Sequence, residues 1–181
     1  MGKSQKKGRE ALDPKELLEL IKTRHSVRRF TESDVDDELL GQILEAGRWA
    51  PSGKNNQSWR FVVLRDQPLK EKMAELTSSG RIIKDAPVVL PVFIHQPSMY
   101  DQTKDHQSIG ACLENMLIMA HGAGLGAVWL GEILKNANQV RELLNVGAEY
   151  SLMAVLALGW PMGEVKFPPR KSLDELVLAR Y

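Results

Sequence analysis

Hydrophobic positions recur along the chain at two spacings, three-to-four and continuous, and these divide it into elements. After Asp13-Pro14, Leu17, Leu18, Leu20 and Ile21 form a helical stripe ending near Thr23. Proline suits that start, because its missing N–H would be unpaired in the first turn anyway. Leu39, Leu40, Ile43, Leu44 and Gly47 give a second helix over about 36–50, with acidic residues at its positive end. PSGKNNQS (51–58) is all turn formers. WRFVVL (59–64) reads as a β-branched and aromatic strand. A polar helix is predicted over about 67–77, and a strand at APVVLPVFI (86–94), where Pro91 implies a sheet edge or a bulge. After a loop from His95 to Asp105, Ile109, Cys112, Leu113, Met116, Leu117 and Ala120 mark the strongest helix, 108–124. It is apolar on several sides and so predicted to be central, with Asp105 as its N-cap. A glycine-punctuated strand and turn (124–133), a helix in NANQVRELLN and a strand at 150–160 complete the body. Helices and strands mix without a βαβ rhythm, which predicts an α+β fold in one domain, 13–181, preceded by a flexible basic tail, 1–12.

The 181 residues are 43% hydrophobic, enough for one sizeable core. The 24 basic residues almost balance the 23 acidic ones, which disfavours a general nucleic-acid surface. No run approaches the roughly 18 apolar residues of a membrane span. The single cysteine, Cys112, excludes an intrachain disulfide and suits a reducing, cytoplasmic setting. It lies on an apolar helix face, as a core residue would.

In a nearly neutral chain the stretch TRHSVRRF (23–30) stands out, and its guanidinium forks and hydroxyl suit a small anion such as a phosphate dianion. Gly122, Gly124 and Ala127 match the spacing G-x-G-x-x-A, but a helix precedes them and a strand follows, the reverse of a dinucleotide fingerprint. The four histidines have no metal-ligand spacing. PSGKNNQ offers amides and exposed backbone, suited to ring carbonyls and nitrogens, and LGEI (130–133) offers backbone at close range. A phosphate at one end and a hydrogen-bonding heterocycle at the other describe a flavin mononucleotide.

RHSVR, then APSGKNNQSWRFVV, a central apolar helix, GLGAVWLGEI, a strand ending LGWP and a terminal PPRKSLDELV together resemble the FMN-dependent nitroreductase family, from about residue 15 to the end. The resemblance implies a mostly antiparallel central sheet flanked by helices, in an interlocked homodimer with FMN at the subunit interface. It assigns Arg24 and Ser26, with His25 between them, to the phosphate, and Arg28 to the N1/O2 edge of the flavin. Pro51, Ser52 and Gly53 match a loop reaching FMN from the other subunit, with Asn55 and Gln57 in the same ring-contacting block. Leu130, Gly131 and Glu132 match a segment near the N5 edge, and Arg170 with Lys171 a C-terminal phosphate contact. The family often has N-x-Q-P-W where this chain has Ser58 in place of proline, and no lid-forming insertion follows the central helix. The activity implied is ping-pong transfer from NAD(P)H to nitroaromatic, quinone or similar acceptors. The alternatives are a specialised flavin enzyme on the same scaffold, such as a dehalogenase or enone reductase, and a non-enzymatic FMN carrier or sensor.

Overall fold

A computed structural model describes residues 12–163 and 167–181. All but Leu12 of the expected basic tail therefore lies outside the described residues. Helix α1, Pro14–Thr23, opens as expected: Asp13 accepts a hydrogen bond from the Lys15 amide (2.9 Å) and Pro14 occupies the first turn. The other helices are α2 (Asp37–Arg48), α3 (Gln67–Ala74), α4 (Gly80–Asp85), α5 (Gln102–Gly122), α6 (Ala137–Leu143) and α7 (Leu173–Leu176). The strands are β1 (Trp59–Phe61), β2 (Val88–His95), β3 (Gly126–Leu130) and β4 (Tyr150–Gly159).

The strands form one antiparallel sheet in the order β1-β2-β4-β3, with helices on both faces. Two apolar layers follow from the two-residue strand period. Val88, Leu90, Val92 and Ile94 turn to one side, into a core shared with α2 and α5. Val89 and Phe93 turn to the other, towards α3, α4 and α6. A sheet covered on both faces needs apolar residues at successive positions, which is why β2 and β4 read as continuous hydrophobic runs. At α2 the backbone itself sets the packing distance. A Cβ on Gly47 would stand 2.7 Å from Met116 Cγ, so glycine lets α2 close on α5.

Pro91 sits in a central strand rather than at an edge. Its carbonyl still accepts from the Val62 amide (3.0 Å), and the bulge appears just beyond it. Val92 pairs with Ala154 but Phe93 with Leu152, so Met153 is an extra residue in β4. Helix α5 begins six residues before the expected start. Asp101, not Asp105, is the N-cap, accepting from Lys104 N (2.9 Å). The first turns, QTKDHQ, are polar and mostly exposed, so they carry no apolar period. The predicted 67–77 helix stops at Ala74, and the unpredicted α4 follows a Thr-Ser-Ser turn.

Candidate functional site

The segment after α1 is held against the sheet. Ser26 bridges Ala127 in parallel, and the Val27 amide donates to the Ala127 carbonyl (3.0 Å). Val27 is buried while Ser26 and Arg28 are exposed, as alternation along an extended segment requires. This pairing puts RHSVR beside β3 and therefore near Leu130 and Gly131, where β3 ends.

Lys22, Arg24, His25, Ser26, Arg28 and Arg170 line a cavity of about 200 Å³, closed on one side by Phe167 and Pro168. Arg24, His25, Ser26, Arg28 and Arg170, expected to share a site, line this one cavity. Lys171 does not line the cavity and is exposed. Two carboxylates offset the cations: Glu114 lies 3.3 Å from Arg24 Nε, and Glu19 lies 2.6 Å from Lys22 Nζ. Arg28 and Arg170 have no acidic partner among the described residues.

His25 Nδ1 stands 2.8 Å from the Thr23 carbonyl. A carbonyl only accepts, so Nδ1 carries the proton and Nε2 is left over. That Nε2 is buried and unpartnered, and the ring packs edge-on to Phe167 (5.2 Å) and His121 (5.8 Å). His121 in turn donates to Thr23 Oγ1 (2.9 Å), whose hydroxyl donates to the Glu19 carbonyl. Burial, then the charges of His25 and Arg24, hold the His121 ring below its ordinary pKa. Phe167, Lys22, Thr23, Glu114 and His121 were not singled out as site residues, since only the fold brings α1, α5 and the C-terminal segment together. The guanidiniums of Arg28 and Arg170, without an acidic partner among the described residues, and that of Arg24 beside them are a donor set for a phosphate dianion.

The loop 51–57 lies against the other end of α5. Gln107, Ala111, Glu114 and His121 fall on one stripe, at four- and seven-residue spacings. Gln107 and Ala111, with Pro51, Ser52 and Gly53, line an open cleft of about 310 Å³. Gln107 and His121 are separated by about 20 Å along the axis.

The loop is internally tied. Ser52 Oγ accepts from the Gln57 amide (3.1 Å), and Gln57 Nε2 donates to the Asn55 carbonyl (3.2 Å). Lys54, Asn55 and Gln57 all have φ near +50°, at 53°, 55° and 47°. Each such non-glycine conformation costs on the order of 1 kcal/mol or more, so surrounding contacts must hold it. Those contacts come from Asn56, whose Nδ2 donates to Asp105 and to the Ser98 carbonyl (3.1 Å). Asp105 also accepts from the amides of Tyr100 and Asp101, both 2.9 Å. Burial pushes its carboxyl up, but these three hydrogen bonds outweigh it and leave the pKa below the ordinary value.

Leu130 is buried at the end of β3, and a Cβ on Gly131 would meet nothing within 4 Å, so the backbone there is open to a ligand. The Glu132 carboxylate turns the other way. It accepts from Thr77 Oγ1 (2.5 Å) and the Ser78 amide (3.1 Å) and pairs with Lys135, which bring its pKa down to about 2. At this segment, therefore, the Gly131 backbone is the group left available, and the Glu132 side chain fixes the turn. Among the described residues no group of His, Cys, Asp and Glu is arranged to hold a metal, and no helix is long and apolar enough to cross a membrane. Cys112 is fully buried, and burial pushes its thiol up to about 12.

The nitroreductase family model matches residues 21–89 and 76–160. A protein of Archaeoglobus fulgidus, provisionally named an NADH dehydrogenase/NAD(P)H nitroreductase, is 34% identical over 155 residues, covering 84% of this chain and 89% of its own. The iodotyrosine deiodinase of Thermotoga neapolitana is 28% identical over 192 residues, covering 92% of this chain and 98% of its own. A crystal structure from Desulfovibrio desulfuricans, of a protein provisionally named a nitroreductase in complex with FMN, superposes with a TM-score of 0.88 at 42% identity. It covers 94% of this chain and 99% of that one.

Proposed function

The chain belongs to the nitroreductase family, and from that premise we propose that it is an FMN-dependent NAD(P)H oxidoreductase. Its acceptors would be nitroaromatics, quinones or similar compounds, reduced by a ping-pong cycle. The observation that carries this reading is the cavity around Arg24, His25, Arg28 and Arg170, a cationic anion site on a segment bonded directly to β3, the strand that ends at Leu130 just before Gly131. Bound FMN supplies the redox chemistry, accepting hydride from NAD(P)H and delivering electrons to the acceptor.

The protein's own residues bind and tune. Arg24, Ser26 and Arg170 hold the phosphate, with the His25 ring packed between them against Phe167. Arg28 would stabilise the negative charge that a reduced flavin carries, and so favour the reduced state. Gly131 lets the backbone approach without a side chain. Pro51, Ser52, Gly53, Asn55 and Gln57 reach the ring from a second copy, with their loop pre-set by Asp105. The donor and the acceptor would occupy the same open face in turn, and this gives the ping-pong order. No protein acid or nucleophile is needed for hydride transfer, so the site is one of binding groups.

Uncovered apolar surface supports the homodimer. Leu17, Leu18 and Ile21 on α1, and Leu173, Leu176 and Leu178 near the C-terminus, are all exposed in the single chain. Two separate apolar faces of this size suit contact with a second copy.

The test is an absorbance spectrum of the purified protein, then anaerobic addition of NADH or NADPH. Flavin bands that bleach and return on adding a nitroaromatic or quinone are the expected result. A colourless protein that takes up no added FMN would end this reading. The similarity to a deiodinase favours a second one, reductive dehalogenation at the same site. Release of iodide from iodotyrosine, with little turnover of quinones, would select it.

A further inference from the structure

The cleft beside the 51–57 loop carries charge that the flavin-binding reading does not use. Tyr100 stands at its floor, and both Lys54 Nζ and Lys104 Nζ lie over its ring, 4.9 and 5.3 Å from the centroid. The phenol packs so tightly on Gly53 that a Cβ there would collide with its oxygen. Gly53 therefore fixes where the ring stands, and both ammonium groups rest against that ring. Lys54 is presented from a left-handed backbone conformation, φ 53°, that the Asn56–Asp105 tie maintains.

Neighbouring acids leave this pair largely uncompensated. Lys104 is 3.9 Å from Asp101, a distant contact between exposed groups, and Asp101 is already the helix cap. Asp105 is buried and committed to Asn56 and two amides. Lys54 has no acidic partner among the described residues. Tyr100 and Lys104 line a cleft of about 310 Å³ and Lys54 lies over the same ring, and two ammoniums beside one aromatic ring at such a cleft make a receptor for a carboxylate, sulfonate or phosphate on a small planar molecule.

We propose that Tyr100, Lys54 and Lys104 select an anionic group on the substrate that enters over the flavin, making them specificity determinants. This rests on the reading that the loop beginning at Pro51 borders the flavin of a second copy. The shared chemistry has two sources: an acidic substituent on the acceptor, or the extra phosphate of NADPH.

The experiment uses the flavin-loaded protein and the variants Lys54→Gln, Lys104→Gln and the double variant. Calorimetric titration with 4-nitrobenzoate and nitrobenzene at low salt reads binding. Steady-state kcat/KM for the same pair, and for NADPH against NADH, reads selectivity. Wild type is expected to favour 4-nitrobenzoate, and the double variant to lose about tenfold of that preference, with nitrobenzene constants unchanged. A loss confined to the NADPH/NADH ratio identifies the donor's phosphate as the anion. Retention of both ratios in the double variant overturns the proposal. Should the protein hold no FMN, the function proposed above falls first. Titration of the flavin-free protein with 4-nitrobenzoate then decides the cleft: binding that the double variant loses sustains it as an anion receptor, and no binding rejects it.

Discussion

At the His121 end of α5 guanidiniums without acidic partners and a leftover His25 nitrogen face a cavity, whereas at the Asp105 end Asp105, Asn56 Nδ2 and two backbone amides are bonded to one another, with Asn56 Oδ1 left over. The first end has cations in excess and an orphaned His25 nitrogen, arranged by an extended segment on a sheet edge. The second has a loop with three left-handed residues held by one buried carboxylate. The first is the proposed ligand site, and the second a scaffold tied chiefly to itself. Substitutions at the first should change affinity while sparing the fold. Those at the second should change stability and the presentation of the loop.

The largest effect is expected at the cationic end. Arg24→Ala with Arg28→Ala removes two charge-assisted contacts, each worth about 1.5–3 kcal/mol, so FMN affinity should drop at least a hundredfold. Fluorescence titration with FMN measures this, and thermal unfolding of the flavin-free protein should move little. Unchanged affinity would mean that these guanidiniums do not hold the phosphate.

At the scaffold end, Asp105→Ala leaves Asn56 and two amides unsatisfied and should cost about 3 kcal/mol in chemical denaturation. The pH dependence has a definite sign. The folded carboxyl lies below the ordinary value of 3.8, so its contribution is present above that value and is lost as pH falls below it. Asp105→Asn should flatten this acid limb of the stability curve, and an unaltered limb would assign it to other groups.

Smaller effects sharpen the contrast. Ser58 is fully buried and its hydroxyl has no partner, so Ser58→Ala should raise stability by up to about 1 kcal/mol. No gain in the denaturation midpoint would show that the hydroxyl is satisfied in solution. Cys112, buried and with its thiol at about 12, should resist a thiol reagent in the native protein and react on unfolding. Rapid native labelling would mean that the contact between α2 and α5 opens readily.

Much of this was legible in the sequence, for reasons that differ by residue. The stripe Ile109–Ala120 has a strong period because α5 is buried for three turns. Its start at Gln102 was invisible because the first turns are solvated. The short helix α4 was missed because six residues after a serine turn carry too little pattern. Pro91 suggested an edge or a bulge; β2 is central, and the register shift lies just beyond the proline, between Val92 and Phe93. Arg24, Ser26 and Arg28 were readable as a cluster since they are contiguous. Their juxtaposition with Phe167 and Arg170 is a product of folding, as is the Asn56–Asp105 tie, which joins residues 49 apart. Glu132 was read as a ring contact from its place in LGEI, and only the fold reveals Thr77 and Ser78 waiting for its carboxylate.

In the proposed dimer the two ends of α5 act on one FMN from different copies of the chain. Mixed dimers test it most directly. One copy carries Arg24→Ala and Arg28→Ala, and the other carries Gly53→Leu, which drives the loop off Tyr100. Each parent dimer should bind little FMN, and the purified mixed dimer should regain one FMN per dimer, because one site then receives an intact cavity from one copy and an intact loop from the other. No recovery, with both parents defective, would mean that cavity and loop of the same chain serve the same flavin, and the claim would be wrong.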